Sequence, residues 1–461
     1  MSSSTHNARP ARDPLDGVRR VVVVGLGKTG LSVTRYLCSR GMSVAITDSR
    51  EQPPALAALQ ALPAAASLSV RTGGFDASLL SDADLVVLSP GIAPSGAFFD
   101  AVRERSLPMI GDIELFAAAA RAPIAAITGT NGKSTVTTLL GLMAARAGRA
   151  VRVGGNLGEP ALDLLDEHAA LYVLELSSFQ LERTHSLWLA AGAVLNVTPD
   201  HLDRYADLAA YAAAKARIFD HCRLAVVNLD DPRAAAMIGP AQPRLGFSLQ
   251  GAAGADYGII EHGAGRAPWL AARGEPLLAL SEMRLAGLHN AANALAALAM
   301  AEALGLPREP CLAALREFPG LPHRMQWVAE LRGVRYIDDS KGTNVGATLA
   351  AIAGLPNVPL ILIAGGEGKG QDFSPLRAGF AHRVRCAVLI GRDARRLGSA
   401  LEGVCECHYA TTLSDAVMRA AALARPGETV LLSPACASLD MFRDYAQRGE
   451  MFAQAVRELA A

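Results

Sequence analysis

Aromatic residues supply only 5% of this 461-residue chain, so Ala, Leu and Val must fill its cores within a composition that is 51% hydrophobic. An excess of charge is also missing: 44 Lys plus Arg balance 44 Asp plus Glu, and no basic stripe stands out. Nucleic-acid binding therefore has no electrostatic footprint. No uninterrupted apolar run reaches the ~18 residues of a membrane-spanning helix, which makes a soluble protein the expectation. Cysteine is sparse. Its seven positions (Cys38, Cys222, Cys311, Cys386, Cys405, Cys407 and Cys436) are scattered and odd in number. That usage argues for a reducing, cytoplasmic compartment. Cys405, Cys407 and His408 are too closely spaced for a metal clip and have no second half, so free thiols on a strand fit better. Residues 1–14 contain no apolar segment of the secretory kind, and a disordered tail is expected over residues 1–17.

What the chain does have is a short nucleotide-binding signature, ITGTNGKST at residues 127–135. The common P-loop places its first glycine four residues ahead of Gly-Lys-Ser/Thr, whereas here only Thr130 and Asn131 separate Gly129 from Gly132. Residues 123–128 read as a buried strand and 134–146 as a helix. Strand, glycine turn and helix start are what a phosphate site needs. Backbone N–H groups face the anion, Lys133 neutralises it, and a hydroxyl from Ser134 or Thr135 serves Mg²⁺.

The length calls for about three domains of roughly 100–200 residues each. Strand–helix alternation appears in three blocks, with breaks near residues 112 and 320. Strands are expected at 21–24, 43–47 and 85–88; at 171–176, 193–197 and 224–228; and at 336–337, 360–363, 387–390 and 429–432. Apolar strands alternating with helices imply mostly parallel α/β sheets. Residues 251–274 are poorly periodic and suit short edge strands.

Several loops at strand ends carry polar groups. GLGKTG at 25–30, with Asp48 about 20 residues on, matches the dinucleotide fingerprint, though such a turn holds the pyrophosphate of any nucleotide. Glu175 closes a buried strand, where a carboxylate suits Mg²⁺; the competing reading is a helix N-cap region. NVTPDHLDR at 196–204 sets His201 beside Asp200 in a metal-binding type of cluster, although a lone histidine is more often structural than catalytic. Lys215, in an apolar helix over 211–219, reads by composition as a snorkelling surface lysine. In the last block DSKGTN (339–344), GGEGK (365–369) and SPACAS (433–438) follow three strands and mark a binding face.

Together these elements resemble the Mur ligases, ATP-dependent amide-forming enzymes of bacterial cell-wall synthesis. GTNGKST looks like their short P-loop, and LELSSFQL (174–181), NVTPDHLDR, GLPHR (320–324), DSKGTN and SPACASLD (433–440) look like further motifs of the family, in order along nearly the whole chain. The resemblance implies a Rossmann-like UDP-substrate domain (18–112), a central P-loop ATPase-like domain (113–320) and a Rossmann-like amino-acid domain (321–461). It implies ligation of D-glutamate to UDP-N-acetylmuramoyl-L-alanine through an acyl phosphate, by a cytoplasmic monomer using ATP and two Mg²⁺ ions.

Carried over by position, Lys28, Thr29, Asp48, Ser49, Arg50 and Gly91 would contact the UDP group, and Asn156 and Gln180 the muramoyl part. Gly129, Thr130, Asn131, Gly132, Lys133, Ser134 and Thr135 would hold the phosphates of ATP; Asn290, Asn293, Arg324, Asp339 and Lys341 would surround the rest. Ser134, Glu175 and His201 would ligate magnesium. Lys215 matches the family's carbamylated lysine, which replaces its bland reading. Lys133, Glu175, His201 and Lys215 would thus form the catalytic group. Thr343, Lys369, Ser438, Leu439 and Tyr445 would hold D-glutamate. Tyr445 stands where the family often has Phe, and Lys28 is an uncommon choice in its turn.

Two other readings compete. A folylpolyglutamate synthase-like ligase would share the chemistry but lack a first block of this kind. A nicotinamide-dependent or regulatory nucleotide-binding protein would have no use for Glu175, His201 and Lys215 beside a P-loop.

Overall fold

A computed structural model describes residues 13–251, 253–263, 265–285, 287–355 and 358–459. The expected tail falls outside these as far as residue 12. Residues 13–17 depart from the expectation: they form a turn that buries Leu15, because Asp13 caps the turn at Leu15 N and pairs with Arg40.

The described strands form sheets of five, nine and six. In the first, strands numbered in chain order lie 3-2-1-4-5, all parallel. Its first strand, Arg20–Val24, is flanked by Ser43–Asp48 and Leu85–Leu88, so chain order reverses at its carboxyl end. A crevice opens at such a switch point, and GLGKTG sits there. Gly30 is obligatory: a Cβ would lie 1.8 Å from the Gly25 carbonyl oxygen.

In the nine-stranded sheet Ile124–Thr128 lies between Leu171–Glu175 and Ala191–Val194, again a reversal of strand order. Helix Lys133–Arg146 follows and buries Val136, Leu139, Leu140 and Met143 in a core shared with helix Leu288–Ala303. Each such side chain contributes ~1.5–3 kcal/mol. Strands Tyr257–His262, Ala267–Ala272 and Glu275–Ala279 form an antiparallel edge, as the weak periodicity of residues 251–274 suggests. One expectation shifts: the strand placed at 193–197 spans Ala191–Val194. Asn196 instead turns its amide onto the P-loop, and the following residues leave the sheet.

The six-stranded sheet has order 1-2-6-3-4-5, with only its first strand, Gln326–Leu331, antiparallel. Asp338, Gly365 and Leu432 end three adjacent strands, bringing the three polar loops to one side. Glu406–Tyr409 is the strand holding Cys407 and His408, and the cysteines are free thiols. The first and central units share one apolar core running from Val21 and Leu37 to Phe116, Tyr172 and Phe219. No helix among the described residues is long and apolar enough to cross a membrane.

Candidate active site

The P-loop leaves its strand at Gly129 and enters the helix through Gly132, a left-handed residue at φ 85°. A Cβ there would sit 2.4 Å from Asn293 Oδ1, so any other residue would have to hold the left-handed backbone and displace that amide. The tip is stapled from below: Asn131 N donates to Asn196 Oδ1 at 2.8 Å, and Asn196 Nδ2 returns a bond to Asn131 O at 3.0 Å. Lys133 Nζ donates to the carbonyls of Gly129 (2.9 Å) and Thr130 (2.8 Å).

Lys215 is not a snorkelling lysine. Only 1% of it is exposed; Nζ donates to Gly129 O at 2.9 Å and lies 4.4 Å from the Tyr211 ring centre. Helix Leu208–Ala216 buries its Ala214–Lys215 side and is capped by Asp207. Burial, reinforced by the Lys133 charge, pushes the Lys215 amine well below its ordinary value.

Glu175 ends its strand almost fully buried. Oε1 accepts from Asn156 Nδ2 at 2.7 Å, while Oε2 has no partner. Burial alone would raise this carboxyl, but Lys133, Ser134 and Asn156 together hold it below its ordinary value. The N-cap of the next helix is Ser177, not Glu175, so the capping reading of the carboxylate is displaced. His201 holds φ 55°, meets the Phe179 ring edge-on at 5.0 Å, and is driven down to about 4 mainly by burial. Among the described residues no three His, Cys, Asp or Glu side chains converge as a metal cage.

A cleft of about 280 Å³ separates the central unit from the third. Asn131, Gly132, Thr135, Asn290 and Asn293 line one wall; Arg324, Asp339 and Lys341 line the other. Polar bonds cross between the units. Arg324 Nη2 donates to Ser134 Oγ at 2.9 Å, and Lys369 Nζ lies 2.5 Å from Asp200 Oδ1. Asn131 and Asn344 exchange amide bonds at 3.3 and 3.1 Å. Burial raises Asp339 to about 7 and lowers Lys341 to about 7. Lys341 Nζ sits 3.7 Å from the Tyr445 ring centre, a cation–π contact that the expected Tyr-for-Phe exchange preserves. Ser438 is buried, Thr343 half-buried, and Leu439 exposed.

Two expected ligand contacts are occupied within the protein. Asp48 accepts from Leu26 N and Arg50 N, and from Arg50 Nε and Nη2, which uses the four acceptor positions of a carboxylate. It therefore orders the turn and Arg50 instead of offering a free oxygen. Gln180 closes a capping box with Ser177 through Oε1 and donates from Nε2 to buried Asp112. Lys28 and Gly91 are exposed at the first unit's crevice, with Thr29 half-buried beside Lys28. Arg204 reaches from the central unit to the Gly91 and Ile92 carbonyls. Asp112, Asn344 and Arg448 were not singled out from sequence. A helix-start Asp and a helical Arg carry no local signal, whereas Asn344 stood in a quoted motif.

Comparison with known proteins agrees with this arrangement. Residues 19–111 match the Mur ligase MurD-like N-terminal domain, 127–301 the Mur ligase middle domain, and 323–436 the Mur ligase glutamate ligase domain. UDP-N-acetylmuramoylalanine--D-glutamate ligase of Nitrosococcus oceani is 54% identical over 440 residues, covering 95% of this chain and 96% of that protein. The enzyme of the same name from Methylococcus capsulatus is 50% identical, covering 97% and 96%. The crystal structure of the UDP-N-acetylmuramate-alanine ligase of Thermotoga maritima shares the fold at TM-score 0.61 and 19% identity, covering 95% of this chain and 99% of that one. With motifs, sheets and relatives in register along nearly its whole length, the chain belongs to the Mur ligase family.

Proposed function

We propose that this protein is an ATP-dependent ligase joining D-glutamate to UDP-N-acetylmuramoyl-L-alanine in peptidoglycan precursor synthesis. The observation that carries the proposal is the convergence of Lys133, Lys215 and half-partnered Glu175 around the P-loop, beside a cleft lined by Arg324, Asp339 and Lys341. A pure binding module has no use for that cluster. The UDP substrate lies against the first unit (18–112), where Lys28, Thr29, Ser49, Arg50 and Gly91 are its contacts and Asp48 acts through Arg50. Asn156 and Gln180 face the muramoyl part, Gln180 by giving up a bond to its present partners. Residues 113–320 hold ATP, and residues 321–461 hold D-glutamate through Thr343, Lys369, Ser438, Leu439 and Tyr445.

The alanyl carboxylate attacks the γ-phosphorus of ATP; the bond to the bridging oxygen breaks, ADP leaves and an acyl phosphate forms. The amine of D-glutamate then attacks the acyl carbon, phosphate departs, and the surplus amine proton is lost to water. Such transfer needs in-line placement and charge neutralisation more than covalent help. Lys133, Arg324 and Lys341 neutralise the phosphoryl oxygens, and the third unit closes over the central one about residues 320–322 to exclude water.

Magnesium fits the donors present: Glu175 Oε2 is a buried carboxylate oxygen with no hydrogen-bond partner of good geometry among the described residues, and the Ser134 hydroxyl lies near enough to stabilise the carboxylate. Magnesium also retains several waters, so it does not require a cage made wholly of protein groups. Ser134, Glu175, His201 and a carbamylated Lys215 would hold two ions, which supply charge neutralisation and polarisation of phosphoryl oxygens when bound. The enzyme acts in the cytoplasm as a monomer. Phosphate release from ATP, measured with each UDP-muramoyl substrate and each amino acid in turn, tests the proposal. Turnover is expected with UDP-N-acetylmuramoyl-L-alanine plus D-glutamate, and its absence there sinks the assignment.

A further inference from the structure

Helix Tyr445–Glu458 begins beneath the strand-end loops of the third sheet, and its first turns carry Arg448, the largest fully buried side chain among the described residues. No carboxylate pairs with it within 4 Å among those residues; its acidic neighbours Asp338, Asp339 and Asp440 act from farther away. All its hydrogen bonds instead join two loops. Nε donates to Ser340 Oγ at 3.0 Å and Nη2 to Ser340 O at 2.7 Å. Nη1 donates to Cys436 O at 3.2 Å and Ala437 O at 3.4 Å.

Ser340 directly precedes Lys341, and Ala437 directly precedes Ser438. The neighbouring Gly449 extends the same junction. A Cβ on it would lie 2.2 Å from His323 Nδ1 and 2.6 Å from Asp338 Oδ2, so its bareness lets the helix press against the His323–Asp338 pair. His323 O in turn accepts from Lys341 N at 3.0 Å.

We propose that Arg448 is a positioning residue for the ligation step, fixing the separation between Lys341 on the nucleotide side and Ser438 on the amino-acid side without touching either reactant. The inference rests on the proposed function, since that reading places those two residues on the two reactants. A buried ion is commonly replaceable by apolar side chains without loss of stability, so helix packing alone does not call for an arginine here. The planar fork supplies geometry: rigid donors aimed at two loops at once.

The test is steady-state kinetics of the full-length enzyme with Mg-ATP, the UDP substrate and D-glutamate, alongside thermal melts. Arg448→Lys keeps the charge but loses the fork. It is expected to lower kcat by about tenfold or more, because the two loops lose their fixed separation, while KM for ATP and KM for D-glutamate each change by less. Ser340→Ala, a gentler change that removes the hydroxyl bonded to Arg448 Nε and to Tyr445 O, should move the same constants in the same direction by less. A folded Arg448→Lys with unchanged constants overturns the proposal, as does a rise in the KM values with kcat unchanged. Where Arg448→Lys fails to fold, Ser340→Ala decides alone: unchanged constants overturn the proposal. Failure of the wild-type enzyme to turn over D-glutamate would instead strike the functional assignment.

Discussion

Lys133 and Lys215 donate from Nζ to the same oxygen, the carbonyl of Gly129, each at 2.9 Å. Two ammonium groups that share one acceptor repel each other, and the Lys133 charge lowers the Lys215 amine. Burial is the larger cause of that lowering, and Lys215 is the more enclosed of the two. A neutral amine is the form that attacks carbon dioxide; in a carbamate an N–C bond would form, the amine would lose a proton, and the site would gain a carboxylate. Lys215→Ala is therefore expected to lose nearly all activity and to regain part of it with short carboxylic acids. Full activity without rescue removes the carbamate from the mechanism.

Gly132→Ala tests the shape of the shortened loop. The left-handed backbone costs an alanine ~1–2 kcal/mol, before the Cβ meets Asn293 Oδ1. The variant should melt at least ~2–4 °C lower and show a raised KM for ATP. Thermal melts with and without ATP check this; an unchanged melting temperature with unchanged ATP stabilisation contradicts it.

Arg324 reaches across the cleft to Ser134, and its planar fork has no equivalent in lysine. Arg324→Lys is expected to raise KM for ATP by about tenfold, the loss of one charge-assisted bond. KM for the UDP substrate should change little. Initial-rate kinetics separate the two, and equal changes in both would assign Arg324 to general closure instead.

Asp112 supplies a prediction with a definite sign. Burial raises its carboxyl from the ordinary 3.8 to about 6, outweighing the Gln180 donation to Oδ2 and the backbone N–H groups of Asp112 and Ile113. Between about pH 4 and pH 6 the folded chain holds a proton that the unfolded chain has shed, so this group's contribution falls as pH rises. Above pH 6 the penalty is complete, at ~3 kcal/mol or less. Asp112→Asn should match wild type near pH 4 and be more stable near pH 8. Urea unfolding across that range measures it, and a pH-independent difference would refute the shift.

Much of this fold was legible because strands buried on both faces are nearly continuous apolar runs: Leu85–Leu88 and Thr429–Leu432 occur at the residues expected. The strand expected at 193–197 failed because sequence shows that Leu195 and Val197 are apolar but not that Asn196 between them bonds to the P-loop. Lys215 failed on composition alone, since an apolar helix says nothing about which of its faces meets Gly129. The family resemblance of the motifs supplied the candidate site residues, while partners distant in sequence, such as Asp200 with Lys369 and Arg448 with Ser340, exist only once three sheets are folded.

The seam between the first two units and the seam before the third differ in kind. Val21, Leu37, Phe116 and Tyr172 belong to one uninterrupted apolar interior, whereas the third unit meets the P-loop through side-chain amides, Arg324 and the Lys369–Asp200 pair. Water can substitute for each of the latter bonds at little cost, but not for the former. By the chemistry of its seams the chain is thus two pieces rather than three: a block whose first two units share one interior, and a third unit attached to it by bonds that water can replace.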